Sequence, residues 1–291
     1  MESLRRAGFG VLCVANNHSM QHGRESFLET VHALRCAGIA VCGLAGTSYR
    51  TVVPEVIHRN GLRIVFLGWS LRPRGYFSSG PLYAEGYADD MLSDVRTARK
   101  SNDCVVVSLH WGDEFVDRPS PAEINLARDL MDAGADLLIG HHPHVLRGCE
   151  RYGRGWIVYS LGNFIADMTW SDRMRDSVIA ECRLTPAGVE DFKLLPVRIG
   201  EDYRPAPLTG DAAISLMRRL EKLSSDIERT SSAEPISEES AAQYLREAKE
   251  HLAEERKRSR LHFLTNTYRI PPGVLVQQLA TFVKNRIAER G

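Results

Sequence analysis

At 291 residues the chain is long enough for one large domain or two small ones around a full hydrophobic core. Hydrophobic residues at 43% and charged residues at 25% are ordinary for a soluble protein, and no apolar run approaches the length of a membrane span. Lys+Arg and Asp+Glu each number 37, so the formal net charge is zero and no global basic field argues for nucleic acid. The six cysteines are scattered without a Cys-x-x-Cys pair, and Cys13 and Cys104 sit inside apolar strand-like runs, which fits buried free thiols in a reducing compartment. Met1 to Arg6 is not followed by the apolar core of a signal peptide, so the chain as written reads as cytoplasmic.

Residues 1–7 read as the end of a helix stopped by Gly8, and Phe9 to Ala15 as a buried strand. Asn16-Asn17-His18-Ser19 follows at the strand's C-terminal end. The spacing of Phe27, Val31 and Leu34 predicts a helix from about Gly23 to Ala37, ended by Gly38, and Ile39 to Cys42 is the next strand. Val52 to His58 and Leu62 to Leu67 form a hairpin through Asn60-Gly61. Residues 70–86, rich in Gly, Ser, Pro and Tyr, read as an exposed loop near the site. A helix from Asp89 to Lys100 leads to the buried strand Cys104 to Leu109, which ends at His110-Trp111-Gly112.

Ser120-Pro121-Ala122-Glu123 carries the signature of a helix start, with Ser120 as cap, Pro at the first position and Glu at the third. That helix reaches about Ala133. The run Ala135 to Ile139 is then a buried strand stopping at Gly140, and Trp156 to Leu161 is another, ending at Gly162-Asn163-Phe164. Val178 to Leu184 and Val189 to Val197 pair around Pro186-Ala187-Gly188. Alternation of strands and helices through the first two thirds predicts a layered α/β fold. From Thr209 the character turns helical, with a helix carrying Ile214, Leu216, Leu220 and Leu223, a polar linker from Thr230 to Pro235, a charged helix from about Ser237 to Arg258, and an amphipathic segment from Val274 to Ile287. The domain reading is an α/β domain over residues 1–208, a closing helix over 209–230, and a helical extension over 231–291.

Gly140-His141-His142-Pro143-His144-Val145 places three of the ten histidines in six residues. Residues two apart in an extended segment project to one face, so His142 and His144 would aim two ring nitrogens at one point, as a metal ion requires. The alternative is a turn whose rings bond nearby backbone. Three strand ends carry histidine: His18 after Ala15, His110 after Leu109, and the His142/His144 pair after Ile139. In an open α/β sheet such ends line one crevice. Asn17 adds a neutral oxygen ligand there, and Asp113 and Glu114 add carboxylates beside His110.

Ala15-Asn16-Asn17-His18-Ser19-Met20-x-His22-Gly23, Ser108-Leu109-His110-Trp111-Gly112-x-Glu114-Phe115, the His141 to Val145 motif, and Tyr159-Ser160-Leu161-Gly162-Asn163-Phe164-Ile165 resemble, in order, the motifs of the CapA family of poly-γ-glutamate capsule synthesis proteins. The match spans roughly residues 8–225. The resemblance implies a metallo-dependent phosphatase-like layered α/β sandwich with a C-terminal helical extension. It implies metal ligands at Asn17, His110, His142 and His144, and a histidine, His18, that contacts a phosphate or equivalent oxyanion. Glu114 joins His18 among the implied catalytic residues, and Asn163 falls near the site. One or two divalent ions (Mn, Zn or Fe) are the implied cofactor, and an anionic polymer or phosphoester the implied substrate, with capsule-synthesis proteins as partners.

Two departures from the family pattern stand out. Its usual Gly-Asp and Asn-x-Glu strands have no counterpart here, so the chain reads as N-terminally incomplete, and its Asn-Asn-His-x-x-Asp ends here in Gln21. A longer native form would then be membrane-associated or exported. The retained imidazoles and amide suit a single ion. The first functional reading is a metal-dependent hydrolase or transferase; the alternative is a non-catalytic assembly or binding subunit whose helical tail engages partners, or a truncated relic with an incomplete metal site.

Overall fold

A computed structural model describes residues 1–72, 80–231 and 238–266. Helix α1 (Glu2–Arg6) ends before Gly8, which takes φ +85°. Strand β1 (Val11–Cys13), helix α2 (Gly23–Cys36) and strand β2 (Ala40–Cys42) follow, with β1 parallel to β2 and Cys13 opposite Cys42. The helical spacing of Phe27, Val31 and Leu34 does what amphipathic spacing does: all three are buried, packed with Met20, Ile39 and Val41.

Strands β3 (Glu55–Arg59) and β4 (Leu62–Ser70) form the expected hairpin. Asn60 at φ +50° and Gly61 at φ +79° supply the two left-handed residues that a tight turn matched to strand twist requires. After α3 (Ala88–Arg99), β5 (Cys104–His110), α4 (Pro121–Asp132) and β6 (Leu137–His141) come two strands, β7 (Cys149–Tyr152) and β8 (Gly155–Val158). Together these strands make a six-stranded sheet in the order β3-β4-β5-β6-β8-β7, parallel through β4, β5, β6 and β8 and closed at each edge by an antiparallel hairpin. The β7 strand escapes the sequence reading because its four residues, Cys-Glu-Arg-Tyr, carry too few apolar side chains to mark a strand.

A short turn of helix, α5 (Asp172–Arg175), opens a second sheet of β9 (Asp176–Thr185), β10 (Gly188–Ile199) and β11 (Pro205–Pro207), and α6 (Gly210–Ser231) and α7 (Glu238–Asn266) complete the described chain. Alternation along β5 decides the layering. Val105, Val107 and Leu109 face α3 and α4, with Met91, Val95, Ile124, Ala127 and Leu130. Val106 faces the other way, with Leu137 and Phe66, onto Val189, Leu184 and Phe192 of the second sheet. Trp156 stacks on Phe192 across that interface at 4.1 Å between ring centroids. Helices, six-stranded sheet and three-stranded sheet are thus stacked, and the layered α/β sandwich expected from the resemblance is the architecture of the chain.

The expected exposed loop over 70–86 needs correction. Ser70, Tyr83, Ala84 and Glu85 are buried, and bridges pair Leu44 with Tyr83 and Ser70 with Glu85, tying β2 and β4 together. At its described ends, residues 70–72 and 80–86, this stretch satisfies backbone groups against neighbouring strands, not water. Residues 73–79 of that stretch, most of the linker and the Val274 to Ile287 segment lie outside the described residues. No helix among the described residues is long and apolar enough to cross a membrane.

Candidate metal centre

Register brings the site together. Ser70 of β4 pairs with His110 of β5, and His110 with His141 of β6, so three neighbouring strands end in line. Strand β6 can run this close to its neighbour because residue 140 is glycine: a Cβ there would collide with the Tyr159 carbonyl and the Trp111 indole. The next backbone is not extended. His142 takes φ +96° and His144 φ +62°, left-handed values uncommon for histidine. Pleating therefore does not place these two rings on one face, as the sequence suggested; a strained turn does, with ring centroids 5.9 Å apart. Strain of this kind concentrates at functional sites because the surrounding structure must hold it.

Glu114 reaches the same turn from the loop after β5. That loop is lashed to the histidine turn by backbone bonds from Trp111 N–H to the His141 carbonyl (3.0 Å) and from Phe115 N–H to the Pro143 carbonyl (2.8 Å). Arg147, fully buried, donates to the carbonyls of Val116 (2.8 Å) and Asp113 (3.2 Å) and to Glu123 (2.6 Å), and Arg173 donates to the Phe115 carbonyl (3.1 Å). Phe115 itself sits at φ +66°. The result is a group of Glu114, His142 and His144 whose candidate ligand atoms all lie within 4.8 Å of one another.

His142 is 5% exposed, and neither ring nitrogen has a hydrogen-bond partner among the described residues. A buried polar atom left unbonded costs roughly 1–3 kcal/mol. One of these nitrogens, offering its lone pair beside a carboxylate and a second imidazole, fits a divalent cation. His144 is prepared for the same purpose. Asn163 donates its amide to the carbonyls of His144 (3.2 Å) and Met174 (3.0 Å), which turns its Oδ1 toward His144 Nδ1 at 2.9 Å. Nδ1–H is thus the donor, and the Nε2 lone pair is left for a metal.

The remaining sequence candidates lie around this group. The His110 ring is 4.7 Å from that of His142, and its Nε2 donates to Asn17 Oδ1 at 2.9 Å, so two expected ligands bond each other. His18 is exposed on the turn after β1, with its backbone N–H on Asn16 Oδ1 (2.9 Å) and its ring Nδ1 3.2 Å from Gln21 Oε1. Gln21 thus meets the His18 ring through an amide. Burial, reinforced by neighbouring His141, His144, His18 and Arg72, lowers the His110 pKa to about 3. Burial also lowers His142, with help from His110 and Arg72, and brings His141 to about 4. Neutral rings are the form that ligates metal.

Sequence reasoning missed Arg147 and Arg72, and it had no role for Asn163. A single arginine has no spacing signature; the closeness of Arg147 to His144 in sequence was the one available hint.

Residues 1–168 match the family described as bacterial capsule synthesis protein PGA_cap, and the chain belongs to that family. It is 34% identical over 221 residues to the capsule biosynthesis protein CapA of Bacillus anthracis, covering 72% of this chain and 52% of that protein. It is 35% identical over 216 residues to the PGA biosynthesis protein CapA of Bacillus subtilis (strain 168), covering 72% and 56%. The chain therefore spans about half the length of the curated relatives it matches. Among solved structures it is similar to the Thermus thermophilus sulfate thiohydrolase SoxB in complex with glycerol, at 15% identity and a TM-score of 0.45, covering 77% of this chain and 39% of that one.

Proposed function

We propose that this CapA-family chain holds one divalent metal ion between Glu114, His142 and His144, with His110 and Asn17 beside it. The ion would serve hydrolysis or group transfer on phosphoester or γ-glutamyl substrates in capsule polymer synthesis. The observation that carries the reading is His142, buried with both ring nitrogens unbonded next to a carboxylate and an imidazole already set in the ligating tautomer. When bound, such an ion polarises a phosphoryl or acyl oxygen and lowers the pKa of water.

The chain's own residues would do the rest. Glu114 supplies the negative charge of the group and His142 and His144 supply neutral nitrogens. His110 keeps its lone pair on Nδ1 while Nε2–H is held by Asn17. His18, exposed on the turn after β1, would hold or pass a proton to a substrate oxygen. The capsule setting comes from the relatives, which are named for capsule and PGA biosynthesis.

A second reading, a non-catalytic assembly subunit, is favoured by one feature: the group contains a single carboxylate, Glu114, which offers little compensation for two cations close together. Elemental mass spectrometry on the purified chain tests the first reading. Near-stoichiometric Mn, Zn or Fe is expected, falling at least tenfold in His142→Ala. A folded protein that takes up none of these ions, even when they are added, sinks the metal reading and leaves the assembly role.

A further inference from the structure

Arg72 leaves β4 two residues past Ser70, at the strand edge that also presents His110 and His141. Its neighbour Leu71 is bound to the site by an N–H bond to the His110 carbonyl at 2.9 Å, so the segment has little freedom to swing away. The guanidinium is poorly matched where it lies. Among the described residues its one ion pair is Nη1 to Asp113 Oδ1 at 3.4 Å, and the other Asp113 oxygen accepts from the Tyr244 hydroxyl at 3.2 Å. Closer pairs occur in this chain, such as Arg147 with Glu123 at 2.6 Å and Arg198 with Asp176 at 2.7 Å, while Arg219 meets Asp176 at the same 3.4 Å. Charge-assisted bonds of full strength fall in that shorter range. Arg72 Nε is buried and has no hydrogen-bond partner among the described residues. Its charge is felt at the site, where it helps keep His110 and His142 neutral.

A loosely paired cation with a buried free donor, beside a group of neutral imidazoles, calls for an anion. With a divalent ion held by the group, Arg72 and that ion together outweigh Asp113 and Glu114, so the site would carry net positive charge. We propose that Arg72 is the anion-recognition residue of this site, its Nε–H donating to a phosphoryl or carboxylate oxygen of the substrate held over Glu114, His142 and His144. Arginine suits the task because its planar fork can take two oxygens of one oxyanion, which a lysine ammonium cannot match. Asp113 then acts as a placeholder that the substrate anion displaces. This inference rests on the metal reading above and extends it to the substrate's charge.

The test titrates inorganic phosphate and, separately, glutarate into the full chain by calorimetry, with and without added Mn²⁺, after metal content and circular dichroism have been recorded for each variant. Arg72→Met is expected to keep its metal and lose at least tenfold in affinity for the anion the wild type prefers. Arg72→Lys is expected to lose severalfold. Asp113→Asn, which removes the competing carboxylate charge, is expected to bind severalfold more tightly. Preference for phosphate points to a phosphoester substrate and preference for glutarate to a γ-glutamyl one. Wild-type affinity in both Arg72 variants, or metal-loaded wild type that binds neither anion, overturns the proposal while leaving the metal reading standing. Wild type without metal is a separate failure, that of the underlying reading, and is identified by elemental analysis alone. Should Arg72→Met not fold, Arg72→Lys and Asp113→Asn decide in opposite directions, and no change in either counts against the proposal.

Discussion

At the scale of single residues, the site is governed by hydrogen bonds that choose a tautomer. The Asn163 amide is oriented by two carbonyls, and that orientation makes His144 Nδ1 a donor and leaves the Nε2 lone pair for the proposed ion. Removing such an orienting partner typically weakens metal affinity about 10–100-fold. Asn163→Ala should therefore release metal to a chelator at concentrations about 10–100-fold lower than wild type does, with the far-ultraviolet dichroism unchanged. Equal retention would mean that the ring is held by packing against Phe115, 6.0 Å away between centroids, and not by the amide. The left-handed backbone at His142 and His144 belongs to the same economy: it would be unfavourable in a free peptide and persists because Arg147, Arg173 and the two backbone bonds over-determine the loops around it.

At the scale of elements, α4 links ordinary helix capping to the site. Ser120 Oγ accepts from Glu123 N–H at 3.3 Å, and Glu123 Oε2 accepts from Ser120 N–H at 2.8 Å, the full capping box anticipated from sequence. The second Glu123 oxygen takes Arg147 Nη1, so the cap of a helix also anchors the buried arginine that steadies the Glu114 loop. Ser120→Ala should cost about 1 kcal/mol of stability by loss of the cap. Urea unfolding checks the figure; a change of less than about 0.3 kcal/mol would show that Arg147 alone holds Glu123 in place. Helix α7 touches the same loop from outside, through Tyr244 on Asp113 and through Leu252 packed with Phe115, Val145 and Met174. Among the described residues, the charged helix read in the sequence as a partner-seeking tail turns one face to the candidate site.

At the scale of the whole molecule, burial of imidazoles couples stability to pH. His110 and His141 have folded-state pKa values lowered to about 3 and about 4, against about 6.5 in an unfolded chain. Between those limits the unfolded state binds more protons than the folded one, so stability rises with pH there and is lost as pH falls below about 6.5. The metal-free protein should show its urea midpoint falling steadily from pH 7 to pH 4, and added metal should offset the loss at the upper end, where protons compete least. A midpoint independent of pH over that interval would place these rings in water, contrary to the fold.

Much of this molecule is local in origin. The spacing of Phe27, Val31 and Leu34, the Asn60-Gly61 turn, the Ser120 capping box and the apolar run of β5 each specify an element through neighbours a few residues away, so they were legible in the sequence. The histidine motifs at three strand ends were legible too, because in parallel α/β layers strand ends gather at one edge. Tertiary structure alone decided how those residues meet. Asn17 and His110 lie 93 positions apart, Asp113 and Tyr244 lie 131 apart, and the pairings that set the His144 tautomer, the Arg147 brace and the loose contact of Arg72 leave no periodic trace along the chain. Periodicity reports which face of an element is buried; it says nothing about which single polar atom across the fold will complete a hydrogen bond, and at this site those single atoms determine which nitrogens are free to bind metal.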